Sequence, residues 1–532
     1  DRNLKLIGDI SVGNFDFIGV DLLFDYNSYK LDLIEIDTLK MIASKDLIDN
    51  YNYLYNIGGD LLINNPRNKS SLKLLPNYPY FVSDKSTKVF FSMPEDYGPE
   101  YDSSFYFSID QFRIDSLDKS TLPKFEFPGT FYSNNIFNPL EAKLITMPDN
   151  SFGFDLALEE KGIPAYDNKI NVFENLKVDS TGLYADGSIS YNQLRVFSKK
   201  IRLFPDSVSG FTDKAFLYRG YSKSKDFNYP DMDFSNSKFS FYNLSDDYFY
   251  LRHDSSRVKS ENESSLFTGF DRSMEIKGDV WISGNSLSSE GSLLYNSSIF
   301  ISDKFLFNSD LVTSDQASVI FNHYSYDSSF LESNDVSLVL NVNDKKISLM
   351  AEYLDEENYY LPYYKTYTSV ENVDWDIINE DLFFYNKNTL DIAPSFFPQE
   401  DLFPNWSVTS NSANIDLKKK QLKLNDVDEL QISDAYILPR NGEVEIGENF
   451  SISKLYDSEI ILDTINEYHR FINASVDINS KDQFIGSGIY EYVNFNNDTF
   501  NIPFSEFKLV ETFDENEQKI KTSFSSGVVD KE

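Results

Sequence analysis

Apolar residues recur at every second position in short runs along most of this chain. Val20, Leu22 and Phe24 alternate, Asp25-Tyr-Asn-Ser28 interrupts them, and Leu31, Leu33 and Ile36 resume. A period of two puts one face of a strand in a core, so the pattern predicts hairpins joined by polar turns. Further strands are expected at 89–93 and 105–114, where Phe105, Phe107 and Ile109 alternate. Two more alternating runs, 336–349 and 413–424, reverse at Asn343-Asp-Lys-Lys and Lys418-Lys-Lys-Gln. One stretch departs from this period. Between Thr38 and Tyr55, Leu39, Ile42, Ala43, Leu47 and Leu54 suit a short helix, for which Ser44 would serve as the N-cap.

The pattern also repeats itself. Residues 175–208 align without a gap on 279–312: Leu183, Gly187, Ser188, Tyr191, Asn192, Ser198 and Lys200 meet Leu287, Gly291, Ser292, Tyr295, Asn296, Ser302 and Lys304. Each copy reads as a hairpin, its turn supplied by Asp179-Ser-Thr-Gly182 or Ser283-Gly-Asn-Ser286. The shared glycine suggests a bulge or a close backbone approach, and the tyrosine four residues on would cover it. A weaker echo, Phe484, Gly488 and Tyr492, lies near the C-terminus. The expectation is an all-β protein with few short helices, an elongated array of antiparallel units that is solenoid-like or tandem sandwich-like. Phe127-Pro-Gly-Thr130 marks a boundary, giving four units. They are 1–126 with the short helix, 127–220 with the first copy, 221–390 with the second, and 391–532.

Composition narrows the function. The 532 residues carry 48 Lys and Arg against 85 Asp and Glu, a formal charge of -37, which repels nucleic acid and anionic lipid. There is no cysteine, so disulfides, thiolate metal sites and cysteine nucleophiles are excluded. No apolar run reaches the roughly 18 residues a membrane helix needs. The chain begins at Asp1 rather than Met, as a processed or excised segment would. With 35 Tyr and 46 Phe beside abundant Asn, Asp and Ser, the composition favours strands and turns.

Several segments resemble a family of large uncharacterised exported or cell-envelope β-rich repeat proteins of Bacteroidota-type bacteria. The resemblance rests on Phe127-Pro-Gly-Thr-Phe131, Gly153-Phe154, Ile163-Pro-Ala-Tyr166, Ser180-Thr-Gly-Leu183 with Gly187 and Tyr191, and Leu203-Phe-Pro-Asp-Ser207. Phe396-Phe-Pro398, Ser433-Asp-Ala-Tyr436 and Gly486-Ser-Gly-Ile-Tyr-Glu-Tyr492 complete it. It spans roughly 127–507 and implies export, an envelope location and a strand-rich build, with no catalytic residues to carry over.

Candidate chemistry is sparse. His253, His323 and His469 sit in no metal-ligand or triad spacing and read as exposed or turn residues. Carboxylate pairs occur at Asp231 and Asp233, Asp374 and Asp376, and Glu356 and Glu357, as acid–base work on glycans would need. Asp477, Asn479 and Asp482 have the oxygen spacing of a partial calcium loop but lack its glycine, which favours a hairpin turn. No cofactor is expected, calcium being the one metal with a candidate site. The runs 358–367 and 247–251 could present rings to sugars or a partner, half of them facing the core. The leading expectation is a non-enzymatic structural or interaction protein of the bacterial cell envelope, whether scaffold, adhesin or assembly component. Its partners would be proteins or glycans there. The alternatives are a polysaccharide-binding or glycan-cleaving protein with carboxylates between aromatic platforms, and part of an outer-membrane β-barrel.

Overall fold

The computed structural model describes residues 2–42, 51–91, 101–119, 125–243, 247–253, 267–270, 272–351, 357–386, 395–399, 403, 406–467, 469–513 and 519–526. Among them the chain is β almost throughout. Its helical segments there are single 3-10 turns, Pro362–Tyr364, Arg440–Gly442 and Glu448–Phe450. Strands pair antiparallel, mostly with their neighbours in sequence, as tight turns require. Two units result: Asp1–Tyr229 with Asp233–Leu266 and Trp281–Asn285, and Pro230–Met232 with Phe267–Val280 and Ser286–Glu532. The boundary expected at 126/127 falls within strand Glu126–Ser133, which pairs with Phe105–Ile109 on one side and Leu140–Thr146 on the other. That at 220/221 falls within a small hairpin, Gly220–Tyr221 with Asn228–Tyr229, and that at 390/391 lies outside the described residues.

In the first unit the expected helix is a correction. Strands Lys30–Ile42 and Tyr51–Leu62 pair with each other, Leu39 opposite Leu54, while residues 43–50, with Ser44, lie outside the described residues. Helical spacing was available to Leu39, Ile42 and Leu54, but Leu39, Met41 and Leu54 share a buried face only in the extended form. Strand Phe15–Asp25 decides the matter by setting Phe17 against Leu39. Behind these strands Phe105, Phe131 and Phe154 interlock with ring centroids 5.1 and 4.9 Å apart. Each fully buried ring contributes about 1.5–3 kcal/mol.

The repeat proves longer in space than in sequence. Strands Ile170–Asp179, Gly182–Tyr191, Leu194–Leu203 and Ser207–Leu217 correspond at the same offset to Met274–Lys277 with Asp279–Ser283, Leu287–Tyr295, Ser298–Phe307 and Leu311–Phe321. In both copies the pairing slips by one at the same place. Ala185 faces Ile201 but Gly187 faces Ser198; Ser289 faces Phe305 but Gly291 faces Ser302. The extra residue lies in the strand opposite the glycine. There the buried positions change parity, from Leu194 and Val196 to Ile201 and Leu203, and from Ser298, Phe300 and Ser302 to Phe305 and Phe307. The shared serine closes the gap: Ser198 Oγ donates to Phe211 O (2.6 Å) and accepts from Lys200 N, while Ser302 Oγ donates to Gln316 O (2.7 Å) and accepts from Lys304 N.

The tyrosine does not cover the glycine. A Cβ on Gly187 would meet Glu174 and Phe173 O, and one on Gly291 would meet Lys277 O, all from the preceding strand. Tyr191 instead packs against Phe241 and Phe249 and donates to Asp247 O. In the first copy Tyr101 also ties two strands together. Its hydroxyl donates to Leu203 O and accepts from Leu183 N, and burial pushes this phenol up to about 12. The C-terminal echo keeps the slip, Gly486 facing Phe507 and Gly488 facing Phe504, but its Tyr492 is 47% exposed.

In the second unit, hairpins Leu331–Asn341/Lys346–Ala351, Asn372–Asp376/Asp381–Tyr385 and Ser412–Asp416/Gln421–Asn425 lie side by side. Each has a four-residue turn headed by Asn341, Asp376 or Asp416, whose side chain accepts backbone N–H groups within the turn. Each turn ends on a left-handed residue, Lys345, Glu380 or Lys420. Successive turns are laced: Val342 N donates to Asp310 O, Ile377 N to Lys345 O and Leu417 N to Glu380 O. The outer two hairpins match the sequence expectation. Beneath the middle one Trp375 is buried against Phe321 and Phe330.

Candidate binding groove

The residues nominated by sequence scatter. Asp374 and Asp376 flank buried Trp375, but Asp374 accepts the Tyr385 hydroxyl (3.0 Å) and Asp376 heads a turn. Asp231 immediately precedes strand Met232–Tyr242, which carries Asp233, and its carbonyl accepts from Phe270 N. Glu356 lies outside the described residues. Asp477 and Asn479 lie on strand His469–Ser480 and Asp482 in the tight turn that follows, with Asp477 paired to Lys454 at 2.8 Å. Among the described residues no group of three or more His, Asp or Glu side chains is placed to hold a metal ion.

The run 358–367 divides into buried and outward rings, but not in one phase: strand Tyr359–Leu361 buries Tyr359 and turns Tyr360 outward, and the 3-10 turn Pro362–Tyr364 resets the alternation so that Tyr364 is buried and Tyr367, on strand Thr366–Thr368, faces outward. Pairing then assembles what sequence keeps apart. Strand Tyr359–Leu361 sets Tyr360 opposite Glu332 on one side and Tyr367 on the other, and Tyr367 faces Phe397. The Tyr360 and Tyr367 rings stack at 4.6 Å, and Gln399 Nε2 donates to the Tyr360 hydroxyl at 3.0 Å. Beside them opens a cavity of about 400 Å³ lined by Glu332, Asn334, Asp335, Glu357 and the two tyrosines. Its floor is fixed by Ser333 Oγ donating to Asn358 O (2.7 Å) and by Asn358 Nδ2 donating to Ser369 O and Val370 O. A ring wall facing acceptor oxygens suits a ligand rich in hydrogen-bond donors. Glu332 and Asp335 carry no motif that would have exposed this role.

No protein-family model matches the chain, and no curated protein matches it in sequence. The groove is therefore read from its own chemistry.

A second polar cluster serves the hairpin stack. His323 lies in a turn, as expected, but it is buried rather than exposed. Its Nδ1 accepts from Ser325 N at 3.2 Å, which leaves Nε2 to carry the proton toward Glu380 Oε2, also at 3.2 Å. Tyr324 donates to the same oxygen, and Lys418 stands 3.4 Å from the other. Although burial opposes it, the Tyr324 hydroxyl and the Lys418 ammonium hold Glu380 below the usual carboxylate range. Three loops are joined through one carboxylate. His469 is exposed on its strand and bonds the Tyr490 hydroxyl at 2.8 Å, and His253 closes strand Tyr248–His253.

Proposed function

We propose that this chain is a non-enzymatic structural or interaction protein of the bacterial cell envelope, a β scaffold that holds binding surfaces in place. One observation carries this reading: three of the carboxylates in spacings that suggest chemistry are spent on the fold. Asp376 heads a turn, Asp374 holds Tyr385, and Asp477 pairs with Lys454. The resemblance stated above supports export and the envelope location. Fractionation of the source cells tests the location, and retention of the protein in the cytoplasm would overturn it. Assays on glycoside, ester and peptide substrates test the absence of catalysis, and turnover at enzymatic rates (about 1 per second or faster) would refute it.

A glycan ligand is favoured by the groove, where the Tyr360 ring adjoins Glu332, Asp335 and Glu357. Tyr360→Ala and Glu332→Gln should each weaken glycan binding at this site. A glycan whose affinity neither substitution changes is not bound in the groove.

A further inference from the structure

The first unit carries an outward strip of rings that no single segment of the chain contains. Tyr53 and Tyr55 come from strand Tyr51–Leu62, Phe90 from Thr87–Phe90, Tyr106 from Phe105–Ile109 and Tyr132 from Glu126–Ser133. Tyr106 faces Phe90 on one side and Tyr132 on the other, and Tyr55 faces Lys88. Ring centroids follow one another at 6.2 Å from Tyr53 to Tyr55, 5.4 Å to Phe90, 5.8 Å to Tyr106 and 4.8 Å to Tyr132. The intervening residues Leu54, Val89, Phe107 and Phe131 point into the core, so every ring of the strip lies on the other face. Tyr53 is 36% and Phe90 38% exposed, and the remaining three are half-buried. Four strands at their usual spacing make the strip about 15 Å long.

Aromatic residues favour strands, and cross-strand ring pairs stabilise a sheet, which accounts for one such pair. It does not account for an unbroken outward row over four strands. Charge selects the partner. The chain carries -37, yet the residues between the rings and directly across from them are Thr38, Lys40, Lys88, Ser108 and Thr130, and the carboxylates Asp16 and Glu141 stand one strand further out, opposite Lys40 and Thr130. A cationic ligand finds no carboxylate among the rings, only at the two margins, and meets the Lys88 ammonium at the centre. A polyanion or a second copy of the chain is repelled by the overall charge. An uncharged polyhydroxyl ligand meets neither obstacle: its C–H faces lie on rings, and its hydroxyls meet phenol groups and the Lys88 ammonium, which sits 4.2 Å above the Tyr106 ring.

We propose that this strip binds a neutral polysaccharide chain. The proposal is independent of the Tyr360 groove, and different variants test the two sites. The whole chain is run in native gels containing mannan, hydroxyethylcellulose or laminarin, with alginate as the acidic comparison. At least one neutral polymer should retard it. Tyr106→Ala with Tyr132→Ala should weaken that retardation by about tenfold or more, while Phe495→Ala, which removes a 94% exposed ring outside both sites, leaves it unchanged. If the double variant fails to fold by circular dichroism, Phe90→Ser at the exposed edge is the substitute and should give a loss in the same direction. Retardation by alginate alone, no retardation by any neutral polymer, or full binding by the folded variant would overturn the proposal. So would concentration-dependent self-association of the parent chain that the same substitutions abolish.

Discussion

Gly291 stands directly across the strand pair from Ser302, and Gly187 stands in the same relation to Ser198. The two residues that most clearly mark the repeat in sequence are therefore one device. The serine strand carries an extra residue, its hydroxyl bonds the backbone groups left over, and the glycine opposite lets the preceding strand approach. Bulges of this kind bend and twist a sheet, and their recurrence at one offset gives both copies the same bend.

Neither repeat glycine should tolerate a side chain. Both hold left-handed backbone, with φ of 153° at Gly187 and 111° at Gly291. An added Cβ at Gly291 would strike Lys277 O; at Gly187 the Glu174 carboxylate can turn aside, but Glu174 Cβ at 2.6 Å and Phe173 O at 2.8 Å cannot. Gly291→Ala and Gly187→Ala should each cost at least about 2 kcal/mol, with Gly284→Ala, where nothing lies within 4 Å, near neutral. Urea unfolding of the three variants gives the ranking.

Ser302→Ala removes the hydroxyl that accepts from Lys304 N and bonds Gln316 O and Ser314 Oγ. Ser314 Oγ still donates to Gln316 O at 2.8 Å, so Lys304 N is the principal group left without its partner. The expected cost is about 1–2 kcal/mol. Amide exchange at Lys304 should quicken well beyond that of its neighbours, which global unfolding alone would not produce.

Asp381 pairs across the sheet with Asp376 on one side and Asp416 on the other. Burial, then Asp416 and Asp376, hold its carboxyl above the usual value. A carboxyl whose pKa is raised by folding takes up a proton more readily in the folded state. Its ionised form therefore opposes folding at neutral pH, and the opposition fades as pH falls through that raised range. Asp381→Asn should stabilise by a few tenths of a kcal/mol at pH 7 in low salt, since like charges face one another at an exposed position. The gain should vanish below about pH 4, and thermal melts across pH 3–8 would show it.

A charge of -37 repels itself across the surface, so the melting temperature should rise from low to moderate ionic strength. An unchanged melting temperature between 10 and 200 mM salt would contradict this.

Alternation alone determined the all-β build, the turn at Asp25-Tyr-Asn-Ser28, and the hairpins reversing near Asn343 and Lys418. These are local properties, because a period of two fixes which side chains share a face before any partner strand arrives. The same locality misread 38–55, where helical and extended spacing were both open until Phe17 and Leu54 closed on Leu39 from either side. Pairing between strands far apart in sequence was needed for the rest. It placed Glu332 beside Tyr360, buried His323 against Glu380, and lined up Tyr53, Phe90, Tyr106 and Tyr132 from four separate strands. A binding face is a property of neighbouring strands, and adjacency is set by which buried faces pack together rather than by any one strand's residues.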